Sequence, residues 1–331
     1  MAPLWQWMMV CLPLLLLVLP AVDAGHPDWE HARFSTPDWI SISPHASEST
    51  LWPESTIPLC YDSEETQHRY HDLLWAAMRL WYAAGLSERF RLLEINRLSC
   101  IHHPWDSLYV EETRDVISSD VGLPIASMMD VPDAPPLEKP KIMVHTKPDV
   151  VWTVMTIAHE LGHAFGLLHE HQNPSFWGPD SSDMVFRFNC DNLRDFEEVT
   201  KDLDAEQVWG KGGVCKDREA ASNIGFSALN FLPEKVSEVY SPHPYAGHPG
   251  LVDWDSIMLY SPLTGSKHAK QPVLTKWDYS TWHENLTPSR KDVAGLKFIY
   301  GTPWARAAVP FWNDIRSPHF AMFRKFTSCH R

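Results

Sequence analysis

Apolar residues recur with a helical period in three stretches of the chain. Tyr70, Leu73, Leu74, Ala77 and Trp81 share one face of a 3.6-residue repeat, with Asp62 as candidate N-cap, Glu65 three residues on and Gly85 as the stop. Val154, Ala158, Leu161 and Phe165 recur at i, i+4, i+7 and i+11 behind Pro148 and Asp149. Val293, Leu296 and Tyr300 form a third stripe, entered at Thr287-Pro288 and left at Gly301. Short strand-like runs stand at residues 108–110 and 141–146. A loop-rich tract spans 174–249, with an amphipathic segment around 193–199, and the prolines of 132–140 mark another loop. The pattern is that of an α+β chain.

Residues 7–19 are a short apolar run, and small residues at Val22 and Ala24 suit signal-peptidase cleavage before Gly25. The run is well short of the ~20 apolar residues of a spanning helix. Residues 1–24 therefore read as a signal peptide, and the remainder as a secreted, extracellular protein without stable membrane insertion. Five cysteines lie beyond it: Cys60, Cys100, Cys190, Cys215 and Cys329. Secretion permits disulfides. Cys190 with Cys215 brackets part of the loop-rich tract and is the first pairing expected, and Cys60 with Cys100 is also compatible with the sequence. A net charge of -14 argues against nucleic acid as a partner. The sequon at Asn285 is a candidate glycan site followed at once by Pro288.

The candidate chemistry is concentrated in HELGHAFGLLHE, from His159 to Glu170. His159 and His163, four apart on a helix, leave from one face and converge. Gly166 tolerates the left-handed conformation that turns the chain back and brings in His169. Three imidazoles leave one position of a tetrahedral Zn2+ ion open, which separates a catalytic site from a structural one. Such an ion supplies an activated water and polarises a carbonyl. Glu160, about 100° round the helix from His159, is the candidate general base, delivering the proton afterwards to the leaving amine as acid.

The motif HExxHxxGxxH followed by glutamate resembles the metzincin metalloproteases, and within them the astacin family. Asp255-Ser256-Ile257-Met258-Leu259-Tyr260 resembles that family's methionine turn, with Leu259 in place of its usual histidine. The resemblance implies that Met258 forms an apolar floor beneath the imidazoles and that Tyr260 ligates the resting metal, then swings away to stabilise an oxyanion. It implies that Glu170 contacts the amino terminus of the processed enzyme. The tract after it, His171 to Trp177, lacks the family's arginines and aspartate, so the chain is a divergent member by this reading. Residues 51–58 resemble the family's opening strand, and Ile142 to His145 its substrate-binding rim. A family bridge would join Cys100 to Cys329 and leave Cys60 over.

The implied fold is a zincin-like catalytic domain over residues 51–301, with a twisted mixed sheet and two long helices above a cleft and an irregular lower subdomain closed by the last helix. Residues 25–50 would be a pro-segment or a disordered leader, in which Asp28 or Asp38 is a candidate for blocking the metal, and 302–331 a tail. The implied function is a secreted, monomeric zinc metalloendopeptidase with one catalytic ion, acting on protein or peptide substrates. The sequence leaves open a non-catalytic zinc-binding or adhesion module, or a metzincin outside the astacin family. His102, His103, His145, His171, His243 and His248 receive no role.

Overall fold

A five-stranded mixed sheet carries the upper half of the molecule. In the computed structural model it is built from β1 (Thr56–Tyr61), β2 (Arg91–Glu94), β3 (Leu108–Glu112), β4 (Ser118–Ser119) and β5 (Lys141–Val144), in the order β2-β1-β3-β5-β4. Neighbours are parallel except β4, which runs antiparallel to β5 at the sheet's end. The structure describes residues 39–46, 49–114, 117–124, 139–145, 149–240, 248–306, 310–317 and 320–327. The signal peptide, Asp28, Asp38, His243, Cys329, most of the 132–140 loop and Pro148 lie outside them.

Two helices, α1 (Glu64–Ala83) and α2 (Val150–Ala164), pack on each other and on the sheet. The stripes read from the sequence share one core: Tyr70, Leu74, Ala77 and Trp81 from α1 and Ala158, Leu161 and Phe165 from α2 and its cap are buried with Ile57, Leu108 and Val144. Leu73 and Val154 are partly buried against it, and Ile157, outside the stripe, joins it. Burying each of the larger aliphatic and phenylalanine side chains contributes about 1.5–3 kcal/mol. Both helices end in a Schellman motif. Gly85 (φ +103°) and Gly166 (φ +105°) are left-handed, Gly85 and Leu86 donate to Tyr82 and Trp81, and Gly166 and Leu167 donate to His163 and Gly162. The indole N–H groups of Trp81 and Trp52 donate to the Ala158 and Ala164 carbonyls, each at 2.9 Å, and tie α2 to its surroundings.

Helix entries differ slightly from the sequence reading. The cap of α1 is Ser63, whose hydroxyl accepts from the Thr66 N–H, so Asp62 lies one residue outside. The last long helix, α3 (Arg290–Gly301), is capped by Ser289 in a capping box with Asp292, two residues later than Thr287. The amphipathic segment near 193–199 is a short helix, Phe196–Thr200. The opening strand is preceded by a 3-10 turn, Pro53–Ser55.

Residues 39–46, within the stretch read as a pro-segment or leader, are built into this core. Ser41–Ile42 pairs with Val239–Tyr240, Ile42 donates to the Gly166 carbonyl, and Leu168 donates to the Ile40 carbonyl. Trp39, Ile40 and Ile42 are buried. A side chain at Gly295 of α3 would collide with Trp39 at 2.8 Å, so the two elements are in direct contact.

The lower half has its own apolar core around Phe186, Leu193, Phe226, Leu232 and Leu274, with β6 (Phe186–Phe188) antiparallel to β7 (Leu274–Lys276). The Cys190–Cys215 disulfide expected from the sequence is part of it. Cys100 bonds to Cys60 rather than to Cys329, because β1 and the helix Arg97–His102 bring the two sulfurs together. The described part of the tail packs back on this corner: Trp312 stacks on His103 at 4.8 Å. No helix among the described residues is long and apolar enough to cross a membrane.

Candidate metal centre

The three histidines of the motif meet at one point. His163 Nε2 and His159 Nε2 lie 3.0 and 3.2 Å from His169 Nε2, and among the described residues this is the one cluster of three potential ligands. Zinc–nitrogen bonds of 2.0–2.1 Å at tetrahedral angles would space their nitrogens by about 3.3 Å, so the spacing fits a zinc ion.

The opposite ring nitrogens settle the tautomers. His159 Nδ1 donates to the Ile257 carbonyl (2.6 Å), His163 Nδ1 to the Leu167 carbonyl (2.8 Å) and His169 Nδ1 to Gln172 Oε1 (2.9 Å). Each acceptor lacks a proton, so each Nδ1 carries one and each neutral Nε2 presents a lone pair to the centre. Burial pushes His159 down to about 4 and His163 to about 3, and His169 well below 6.5, with neighbouring imidazoles adding to the shift in the last two. Three neutral lone pairs at these distances repel unless a cation lies between them.

The fold creates these acceptors locally. Gly166 turns the chain so that the Leu167 carbonyl comes back beneath His163, and the next residues form the 3-10 turn Glu170–Gln172 that delivers His169 and Gln172 together. The turn around Met258 supplies the Ile257 carbonyl. That turn is anchored by Asp292 of α3, which accepts from Ser256 Oγ at 2.6 Å and from the Ile257 N–H at 3.0 Å.

Glu160 is buried on α2, one residue after the ligand His159. Burial pushes its carboxyl well above the usual carboxylate range, opposed by the Ser119 backbone N–H. The ring of Tyr260 lies 4.0 Å from that of His169. Burial and the Glu160 charge raise its phenol, which stays protonated at neutral pH. Met258 is buried behind α2, its sulfur against Gly162. Glu170 is buried too: its N–H donates to the Met258 carbonyl and its carboxylate accepts from the Asp253 N–H at 3.1 Å. It joins the ligand loop to the methionine turn.

One expectation changes. Within the expected rim, Ile142 to His145, Ile142 and Met143 have no free edge, because β5 there is flanked by β3 and β4. Among the described residues the outer edge belongs to Ser118–Ser119, two polar residues with no apolar alternation to betray a strand. Gln172 and Asp292 were also missed. Asp292 had a signal, the capping pattern Ser289-x-x-Asp292, whereas the role of Gln172 depends on the turn after His169. His171, given no role, is fully buried, its Nε2 donating to the Asn230 carbonyl and its ring 4.9 Å from Tyr260.

No family model and no curated protein matches the chain. Solved structures do. The chain is similar to high choriolytic enzyme 1, a hatching enzyme zinc-protease from the medaka fish Oryzias latipes, at 17% identity and a TM-score of 0.43, over 74% of this chain and 89% of that one. It is similar also to myroilysin, at 13% identity and a TM-score of 0.44, over 80% of this chain and 98% of that one.

Proposed function

We propose that the chain is a secreted zinc-dependent metalloendopeptidase that hydrolyses peptide bonds in extended protein substrates. The observation that carries this reading is the convergence of three proton-free Nε2 atoms, with a buried carboxyl on the residue that follows the first of them. A structural site would close its fourth position with a protein ligand; here Glu160 stands by instead. The two disulfides suit an oxidising, extracellular setting.

His159, His163 and His169 would hold the ion, which when bound supplies a Lewis acid for the scissile carbonyl and lowers the pKa of water. Glu160 takes the proton of the attacking water and passes it to the leaving amine. Its burial makes it a stronger base than a solvent-exposed glutamate. The protonated Tyr260 phenol donates to the oxyanion that develops on the substrate. The edge of β4 that no described strand covers, whose Ser119 backbone bonds to Glu160, would offer backbone groups to a peptide that adds as a further strand.

Cleavage of an unfolded protein by the purified chain tests the reading. Activity is expected in the wild type and is expected to be lost in Glu160→Gln and after chelation. Zinc bound at full occupancy with no turnover, including after trimming of the amino terminus, would favour a binding module.

A further inference from the structure

The three ligands are not oriented by equivalent means. His159 and His163 donate to the backbone carbonyls of Ile257 and Leu167, acceptors that no substitution removes. His169 donates to a side chain, Gln172 Oε1.

Gln172 is held on every side. It is buried, and its amide nitrogen donates to the Leu232 carbonyl at 3.3 Å and the Leu229 carbonyl at 3.4 Å. Those contacts fix which end of the amide faces His169, since a flipped amide would set its NH2 against the His169 N–H and its oxygen against two carbonyls. Arg218 grips the same two carbonyls through Nη1. Its Nη2 pairs with Glu234 Oε1 at 2.6 Å, and the Glu234 N–H donates to the Gln172 backbone carbonyl at 2.9 Å. The ring closes: ligand, glutamine, two carbonyls, arginine, glutamate and back to glutamine.

We propose that Gln172, braced by Arg218 and Glu234, is the positioning residue that fixes the tautomer of His169 and thereby sets the affinity of the metal centre. The inference rests on the zinc reading above. It assigns to residues 218–234 of the lower half a part in metal binding although none of them touches the ion's position. Outer partners of metal-bound histidines alter affinity by about 10- to 100-fold, and here that leverage falls on one replaceable side chain.

The test is zinc affinity of the full chain, measured by competition with a chromophoric chelator, for wild type, Gln172→Met, Arg218→Met and the double variant. Gln172→Met is expected to weaken zinc about 10- to 100-fold. Arg218→Met should weaken it in the wild type and have no further effect in the Gln172→Met background. A wild type that binds zinc alongside a Gln172→Met variant of equal affinity would overturn the proposal and leave the zinc reading standing; a wild type that binds none would overturn both. Long-range proton–nitrogen NMR of the histidine rings needs no variant. In the wild type His169 should be protonated at Nδ1, and protonation at Nε2 would overturn the proposal.

Discussion

Met258 fills the space that a side chain at Gly162 would enter: a Cβ there would stand 2.5 Å from the methionine sulfur and 3.1 Å from Trp81 Cζ2. The glycine sits one residue before His163, so the methionine turn, which also supplies the Ile257 carbonyl to His159, is pressed directly against the ligand helix. In an open helix, glycine to alanine would be worth about 1 kcal/mol of stabilisation. Here overpacking should reverse the sign, costing about 1–3 kcal/mol. Met258→Ala removes the closer obstacle and leaves Trp81 at 3.1 Å, so Gly162→Ala in that background should cost clearly less than in the wild type. Denaturant unfolding of the four proteins checks this, and additive effects would contradict it.

Tyr260→Phe separates chemistry from binding. The phenol is protonated and its ring lies against that of His169, while the converging ligand group consists of His159, His163 and His169. Loss of one oxyanion donor should lower kcat about 100- to 1000-fold with KM and zinc affinity nearly unchanged. A comparable loss of zinc affinity would make Tyr260 a ligand or a prop instead.

Asp253 gives the fold a pH dependence. Burial, with the Asp292 carboxylate second, raises it from 3.8 to about 7. Between those values the folded state keeps a proton that the unfolded state has lost. The associated stability is therefore full below about pH 4 and is lost as pH rises through about 7. From pH 4.5 to 8 the wild type should lose stability relative to Asp253→Asn, on the order of a few kcal/mol. Parallel stability curves for the two proteins would show that the carboxylate is ordinary.

Asn285 should carry no glycan despite its sequon. Its amide nitrogen donates to the Trp254 and Ser256 carbonyls at 2.7 and 2.9 Å, using both protons to hold the methionine turn. A sugar on that nitrogen would displace at least one bond. The intact mass of protein secreted from a eukaryotic host should be unchanged by an N-glycosidase. Asn285→Asp, which sets a carboxylate against two carbonyls, should cost about 1–3 kcal/mol.

Legibility in the sequence followed the range of the interactions. The stripes of α1 and α2 and the spacing of His159, His163 and His169 are local periodicities, so they could be read before any tertiary contact was known. The helix entries were displaced because a hydroxyl one or two residues on, Ser63 or Ser289, captures the free N–H groups instead. Residues 39–46 gave no such pattern. Their burial comes from pairing with residues some 125 to 200 positions away, and only the assembled fold makes Ile40 and Ile42 core residues. The acceptor for His169 was hidden for the same reason: a glutamine is unremarkable until a turn places it under a ligand.

Titration of zinc into metal-free protein, with cleavage of an unfolded substrate followed at each addition, tests the central claim most directly. Activity should be absent at the start, rise in proportion to added metal and level off at one ion per chain. Full activity without metal, or none at any zinc concentration, would contradict the assignment of the three imidazoles and Glu160 to a catalytic zinc site.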